Sequence, residues 1–385
     1  MNGDTPEDEV AQLVEAVLRG QGDRDSLVAL LPERVALYTG RSTSAVMRLR
    51  GYILAAFERV GLPTAALPYV LDELQNGRQP YTVAAAAMAL RGLDAPTADA
   101  VPFLLRAIEN MTYNDDAVSF DSYRPEWPLP SRTTAMDEIL KTFAWLGAEA
   151  RGADAELEAL AEDQDALSAG ARATLATVLA ARVGGHTCCH ATEGEAPIDG
   201  IELDDRPPSS EIAVPQGVCL EDQDGRLMTF ADFFSGRPSI VVFFYTRCDN
   251  PNKCSLTITK LGRLQEALRL EGLQGRVRTA AITYDPGFDA PARLLAYGQN
   301  RGVTFTDDQR FLRTTSDFAD LQEFFGLGVN YGPALVNWHR IELFLLDHEG
   351  RLVETFARLQ WDPDEVVRHA RSLVSTSEPR DSLAG

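Results

Sequence analysis

From residue 7 to residue 183 the apolar positions recur at helical spacing, as in Val10, Leu13, Val14, Val17 and Leu18 and again in Leu157, Leu160 and Leu167. Strand patterns are scarce in this half. After residue 212 the pattern alternates. Residues 212–219 read as a strand, Asp224-Gly225 as a hairpin turn, and 240–245 as a buried strand running toward Cys248. Residues 256–270 read as an amphipathic helix, 277–283 as a second buried strand, and 290–301 and 316–325 as helices. Residues 341–346 and 352–356 flank the turn His348-Glu349-Gly350 as a hairpin, and 363–373 read as a closing helix. An all-helical half followed by alternating strands and helices predicts an α region joined to an α/β sandwich.

Within the helical half, Ala66-Leu67-Pro68-Tyr69-Val70-Leu71 is echoed by Ala100-Val101-Pro102-Phe103-Leu104-Leu105, each preceded by an Ala-rich helix and a glycine, Gly61 or Gly92. A helix, a turn and a second helix with proline in its first turn make one unit of an α-solenoid, whose apolar face only neighbouring units can cover. Residues 133–161 and 168–183 read as further irregular repeats, with Leu146-Gly147 marking one turn. The region resembles the HEAT/armadillo-like superfamily, and the resemblance implies a scaffold that docks a protein partner. Between repeats, residues 110–131 collect Asn114, Asp115, Asp116, Tyr113, Tyr123 and Trp127, and are expected to form a long ordered loop that packs its aromatics on the helices. The expected organisation is a HEAT-like helical-repeat domain over 1–184, a Cys/His-containing linker over 185–211, a thioredoxin-like α/β sandwich over 212–375 and a flexible tail over 376–385.

Charge narrows the partners. Over 385 residues, 36 Lys+Arg against 57 Asp+Glu give a formal net charge of -21. Phosphate backbones and anionic lipid repel such a chain, so nucleic acid and membrane surfaces are poor partners, and an acidic protein-docking surface is the better expectation. The start, MNGDTPEDEV, carries acid where a secretory signal carries basic residues. The longest apolar stretches, 83–90 and 240–245, fall far short of the roughly 20 residues that cross a bilayer. A cytoplasmic chain without membrane insertion is expected.

All five cysteines, Cys188, Cys189, Cys219, Cys248 and Cys254, lie beyond the helical pattern that ends at residue 183. Cys219 falls within a strand pattern and reads as a packed thiol. Cys248 follows a buried strand and Cys254 precedes a helix, where unpaired N–H groups favour thiolate; Arg247 and Lys253 add to that bias. Thiolate either attacks disulfides or binds a soft metal, and the placement serves both. His186-Thr187-Cys188-Cys189-His190 gathers four soft-metal donors, although adjacent residues cannot all face one ion. This segment reads as a secondary metal site, as a thiol relay to Cys248 and Cys254, or as an incidental part of the linker.

Residues 214–374 resemble the Sco/SenC family of copper-binding, thioredoxin-fold proteins. The resemblance rests on the hairpin Leu220-Glu221-Asp222-Gln223-Asp224-Gly225-Arg226, then Phe230-Ala231-Asp232-Phe233 and Phe243-Phe244-Tyr245-Thr246-Arg247-Cys248. It continues through Ile282-Thr283-Tyr284-Asp285-Pro286 and Asp289-Ala290-Pro291 to His339 ahead of the strand Ile341 to Leu346. It implies a copper site formed by Cys248, Cys254 and His339, with the two cysteines also able to act in redox exchange. Family members usually place three residues between the cysteines and a proline after the first. Here five intervene and Asp249 takes the proline position, a loop that serves a metal site by folding back or a disulfide across a longer span. A family role for an aspartate would fall on Asp285, whose place at a strand end also suits capping of the Pro286 turn.

Other readings remain open. One is a copper-independent thiol-disulfide oxidoreductase in which His339 tunes the pair; another is an interaction module with a degenerate Sco-like domain. A peroxiredoxin would need threonine three positions before its cysteine, whereas Thr246 is two before Cys248. A thioredoxin would need C-x2-C and a proline against the later strand, where Trp338 stands and Pro333 is six residues before His339. In a reducing cytosol a standing disulfide is disfavoured, which weights the chemistry toward metal binding or transient catalysis.

Overall fold

A computed structural model describes residues 1–126, 128–129, 131–163, 167–183, 203, 212–316 and 318–377. The chain divides into two compact units, Met1–Glu202 with Asn330–Pro333, and Leu203–Val329 with Ala334–Gly385.

In the first unit, Glu7, Asp8 and Glu9 place negative charge on the open N–H groups that start α1 (Glu7–Leu18), and a short α2 (Asp25–Val28) follows. The hydroxyl of Ser42 accepts from the Ala45 N–H to start α3 (Thr43–Val60), which stops at Gly61 with φ of 86°. Then come α4 (Leu67–Asn76), α5 (Pro80–Leu90) and α6 (Val101–Met111). Each of α4 and α6 is entered through a 3-10 turn, Thr64–Ala66 or Ala98–Ala100, and has proline in its first turn, which is the structural form of the echoed sequence. The unit is completed by α7 (Ala135–Leu146), α8 (Asp154–Glu162) and α9 (Ala169–Val183).

Helices α3, α5, α7 and α9 pack in series, while α4 lies on α5 and α6. The α3–α5 approach depends on Gly51, where a Cβ would sit 2.5 Å from the Tyr81 ring. The loop after α6 packs part of its aromatic set: Tyr123 is buried edge-on to Tyr52 with centroids 5.5 Å apart, and Phe120 stacks on Tyr81 at 4.6 Å. Tyr113 departs from the expectation. It is 85% exposed in left-handed backbone (φ 70°), because the chain reverses there after α6 and carries its ring outward. Trp127 lies outside the described residues.

The second unit contains β1 (Cys219–Asp222), β2 (Leu227–Thr229), α10 (Phe230–Phe234), β3 (Ser239–Phe244), α11 (Leu256–Leu270), β4 (Arg278–Thr283), α12 (Pro291–Gln299) and β5 (Gln309–Thr314). It continues with α13 (Ala319–Phe325), β7 (Val336–His339), β8 (Glu342–Leu346), β9 (Leu352–Ala357) and α14 (Pro363–Ser377); β6 (Val329–Tyr331) begins at Val329, its last residue before the segment assigned to the first unit. Among the described residues a seven-stranded sheet runs β2-β1-β5-β4-β3-β8-β9. Strands β3, β4 and β5 are parallel neighbours, and β8 lies antiparallel on the other side of β3. All six residues of β3 are buried, which is why it reads as an unbroken apolar run. Helix α11 packs on β3 and α14, and α12 on β5. This is the α/β, thioredoxin-like arrangement expected for the C-terminal region.

Some local expectations need correction. The first strand begins only at Cys219, because residues 212–218 turn at Pro215, whose carbonyl accepts from the Val218 N–H. Cys219 is exposed rather than packed: alternation along β1 turns Leu220 into the core and Cys219 outward, while its backbone bonds to Thr315 and Ser316. Helix α14 continues to Ser377, two residues into the stretch expected as a flexible tail. No described helix is long and apolar enough to cross a membrane.

Candidate metal centre

The carboxyl ends of β3 and β4 are tied together by Asp289. This fully buried carboxylate accepts from the Thr246 N–H at 3.1 Å, from the Thr246 hydroxyl, and from the Thr283 hydroxyl at 2.5 Å. The chain leaving β3 is thereby fixed before it reaches Cys248, whose N–H donates to the Tyr245 carbonyl at 3.4 Å. Asn250 then accepts from the Asn252 N–H at 2.9 Å, and Pro251–Ser255 form one π turn that leads into α11. The five-residue spacing is absorbed in that wide turn, and at Lys253 the backbone leaves helical geometry (φ -103°, ψ -105°). Cys254 returns to Cys248 at 1% exposure.

His339 ends β7 at 7% exposure. Its Nε2 lies 3.4 Å from Cys248 Sγ and 3.7 Å from Cys254 Sγ, and the donor atoms of all three residues lie within 4.8 Å of one another. Nδ1 stands 3.0 Å from the Arg340 carbonyl. A carbonyl can only accept, so Nδ1 carries a proton, and Nε2, which faces the two sulfurs, is the ring nitrogen left to bind a metal. Tyr245 and Tyr284 flank the imidazole with ring centroids 5.5 and 5.6 Å away. The donor spacings suit one ion at the roughly 2.0–2.3 Å bond lengths of imidazole and thiolate ligands.

The thiols differ electrostatically. A hydrogen bond from Cys254 and the facing His339 hold the Cys248 thiol well below its ordinary value, against the opposing effect of burial. Burial, then the neighbouring Cys248 thiolate, push Cys254 well above it. The pair thus keeps a thiolate at half-buried Cys248 and a proton at buried Cys254.

Of the flanking cations, Arg247 does not act as the sequence suggests. Arg247 pairs with Asp285 at 2.5 Å, donates to the Ala334 carbonyl and lies 4.1 Å over the Phe288 ring, so its charge is engaged away from the sulfurs. The same ion pair reassigns Asp285. Its carboxylate holds Arg247 instead of capping the Pro286 turn. Lys253 is turned inward, and Nζ donates to the His339 carbonyl at 2.9 Å.

Residues behind the ring escaped the sequence reading. Arg340 and Glu342 form a fully buried ion pair at 2.8 Å, and the Tyr284 hydroxyl and Gly328 N–H also donate to Glu342. Gly328 is required there, because a Cβ would meet the Arg340 side chain at 2.5 Å. Asp289 had a usable signal in Asp-Ala-Pro ahead of a helix; the buried Arg340 and Glu342 had none. His186, Cys188, Cys189 and His190 lie outside the described residues.

Residues 216–375 match the SCO1/SenC family. Among solved structures, a SCO1/SenC family lipoprotein from Bacillus anthracis is 20% identical and covers 42% of this chain and 96% of its own, with a TM-score of 0.36. Bradyrhizobium japonicum ScoI with copper bound is 21% identical over 42% of this chain and 99% of its own (TM-score 0.34). Yeast Sco1 with copper bound is 24% identical over 46% and 99% (TM-score 0.33). Comparison with curated proteins gives no match.

Proposed function

We propose that the C-terminal unit is a Sco-like copper-binding, thiol-redox protein in which Cys248, Cys254 and His339 hold the metal. The observation that carries this reading is the convergence of two sulfurs on one imidazole nitrogen, the one not committed to a carbonyl. Two thiolates and an imidazole are a soft donor set suited to Cu(I), and the SCO1/SenC match of residues 216–375 favours copper over zinc. Loading requires both thiols to lose their protons, and oxidation of the pair to a disulfide removes the ligands, so copper occupancy and oxidation exclude each other. Residues 1–184 would serve as a HEAT-like helical-repeat module that docks a protein partner, with 185–211 as linker. His186, Cys188, Cys189 and His190 would supply a secondary metal site or thiol relay.

The asymmetry of the thiols favours a second reading, a copper-independent thiol-disulfide oxidoreductase. There Cys248, as the accessible thiolate, attacks the substrate disulfide and Cys254 resolves the mixed disulfide. Anaerobic titration of reduced protein with Cu(I) and Cu(II), followed by thiolate-to-copper absorption, separates the two. Stoichiometric binding that is lost in His339→Ala and in Cys254→Ser supports the copper site. Absence of binding together with turnover of a disulfide substrate overturns it. Mass mapping of oxidised protein for a bridge from Cys188 or Cys189 to Cys248 or Cys254 tests the relay.

A further inference from the structure

The loop after α6 and the N-terminal ends of α3 and α5 border a cleft of about 330 Å³ in the helical unit. Met47 on α3 and Val118, Pro125 and Leu129 on the loop make its walls mostly apolar, and Arg48, Tyr81 and Tyr123 are among the polar residues on it. Clefts of this size and lining take small organic ligands, whose orientation the few polar groups set. Neighbours that do not line the cleft hold its walls in place. Phe120 stacks on Tyr81 with ring centroids 4.6 Å apart, Tyr52 lies edge-on to Tyr123 at 5.5 Å, and Asp121 accepts from the Ser131 N–H at 3.1 Å across the loop. Walls fixed in this way cost a ligand little ordering.

Charge in the cleft has one sign. Among the described residues that line it Arg48 alone is charged, in a chain with 57 Asp+Glu. Arg48 donates from Nε to the Tyr123 hydroxyl at 3.3 Å and from Nη2 to Glu7 at 3.2 Å. That counter-charge is shared, for the same Glu7 oxygen accepts from the Tyr123 hydroxyl at 2.5 Å and from Arg124 at 3.3 Å. Arg48 Nη1 and the Tyr81 hydroxyl have no hydrogen-bond partner among the described residues. Tyr81 is also the second residue of α5, which begins without a side-chain cap and so brings the positive end of a helix to the cleft. A spare guanidinium N–H, a free phenol and an uncapped helix start, set into apolar walls, complement a ligand that is anionic at one end and apolar along the rest.

We infer that this cleft binds a small organic acid, a monocarboxylate on an aromatic or alkyl body, whose carboxylate pairs with Arg48 and takes the Tyr81 hydroxyl as a second donor while its body lies on Met47, Val118 and Leu129. A doubly charged phosphate would need more cationic donors than the single arginine supplies. A peptide would carry its amides against mostly apolar walls, where unpaired polar groups are costly. The inference is independent of the copper reading and goes beyond the docking role proposed for residues 1–184.

The test titrates the full chain with hydrocinnamate and octanoate, followed by calorimetry and ligand-observed NMR. Hydrocinnamamide keeps the body without the charge, acetate keeps the charge without the body, and acetyl-Gly-Gly-Phe presents the same carboxylate and ring on a peptide. The variants are Arg48→Met, Tyr81→Phe and Ala117→Trp, with folding checked by thermal melting. Ala117 is an exposed lining residue, so its replacement fills the cleft without touching the Arg48–Glu7 pair and stays informative if Arg48→Met fails to fold. At least one of the two acids should bind one-to-one and about tenfold or more tighter than the amide or acetate. Arg48→Met should weaken it about tenfold, Tyr81→Phe about threefold, and Ala117→Trp should abolish it. The inference is overturned if neither acid binds wild type, if the amide binds as tightly as the acid, or if binding is unchanged in folded Ala117→Trp or Arg48→Met. Tighter binding of the peptide than of either acid also overturns it and gives the cleft to a protein partner.

Discussion

The Tyr284 hydroxyl donates to the Glu342 carboxylate at 2.5 Å, with both side chains buried behind the His339 ring. The other Glu342 oxygen receives Arg340 Nε and the Gly328 N–H, each at 2.8 Å, and the Arg340 carbonyl orients His339. Glu342 thus offsets a guanidinium that sits one peptide from the imidazole. Glu342→Gln should destabilise the protein by about 3–5 kcal/mol, because it leaves the Arg340 charge buried without its carboxylate. Tyr284→Phe, which removes one hydrogen bond to a charged group, should cost about 1.5–3 kcal/mol. Denaturant unfolding followed by a signal from the C-terminal unit checks both, and equal midpoints for Glu342→Gln and wild type would count against the ion pair as a stabilising element.

Thiol reactivity should separate the two cysteines that face His339. Cys254 is 1% exposed and protonated, whereas Cys248 is partly accessible and held as thiolate. In reduced, metal-free protein, iodoacetamide should label Cys248 and leave Cys254 unmodified until unfolding. An ordinary thiol, with a pKa of about 8.5, loses roughly 10³-fold in reactivity between about pH 8 and pH 5. Cys248 should keep most of its rate across that window, since lowering the pH does not protonate it there. Peptide mapping after timed quenching gives the rates, and a rate that falls tenfold per pH unit would remove the low-pKa assignment.

Legibility in the sequence tracked how local each feature's cause is. Strand β3 could be read because a central strand is buried on both faces, and Cys248 could be singled out because it follows that run. Strand β5 could not, because Arg310 and Arg313 make it look like a surface segment. Their partners, Asp222 and Glu221, lie 88 and 92 positions earlier on β1 and are met only once the sheet forms. His339 became a candidate through family resemblance, as one histidine on a short strand has no local signature. Arg340 and Glu342 were hidden for the same reason as β5: charged residues read as solvated until the fold supplies a partner. The extra length between Cys248 and Cys254 was visible, but its absorption in a π turn was not.

The helical unit should lose stability in acid through Glu138. Burial alone would raise its pKa, but hydrogen bonds from Lys141 at 2.8 Å and Thr133 at 2.6 Å and the Arg91 ion pair at 2.5 Å outweigh it and hold the carboxyl below 4.5. A depressed folded-state pKa means that the unfolded chain binds the proton more readily. The stabilisation is complete above the unfolded value and fades as pH falls through the folded one. Glu138→Gln should therefore lower the urea midpoint near pH 7 and differ much less from wild type near about pH 3. A constant difference between those pH values would show that the contribution is not electrostatic.

Lys260 makes the opposite linkage available in the second unit. Burial beneath the Trp361 ring, whose centroid is 4.7 Å from Nζ, brings its pKa down to about 8 despite the nearby Asp362. Its folded-state pKa lies below the unfolded value of 10.5, so the charged side chain destabilises the fold fully below about pH 8 and less as pH rises toward 10.5. Lys260→Met, which retains the stem over Trp361, should raise the unfolding midpoint at neutral pH and remove part of its rise between those values. The same feature marks Lys260 chemically. Near pH 8 about half of it is neutral amine, whereas in Lys141 the hydrogen bonds it donates to Asp137 and Glu138 outweigh burial and raise the pKa, and Lys253 is shielded by its burial. Brief treatment of native protein with acetic anhydride should acylate Lys260 at least about tenfold faster than Lys141. Comparable rates at the two positions would show that the amine over Trp361 is as fully protonated as a surface lysine, and the predicted stability gain of Lys260→Met would fall with it.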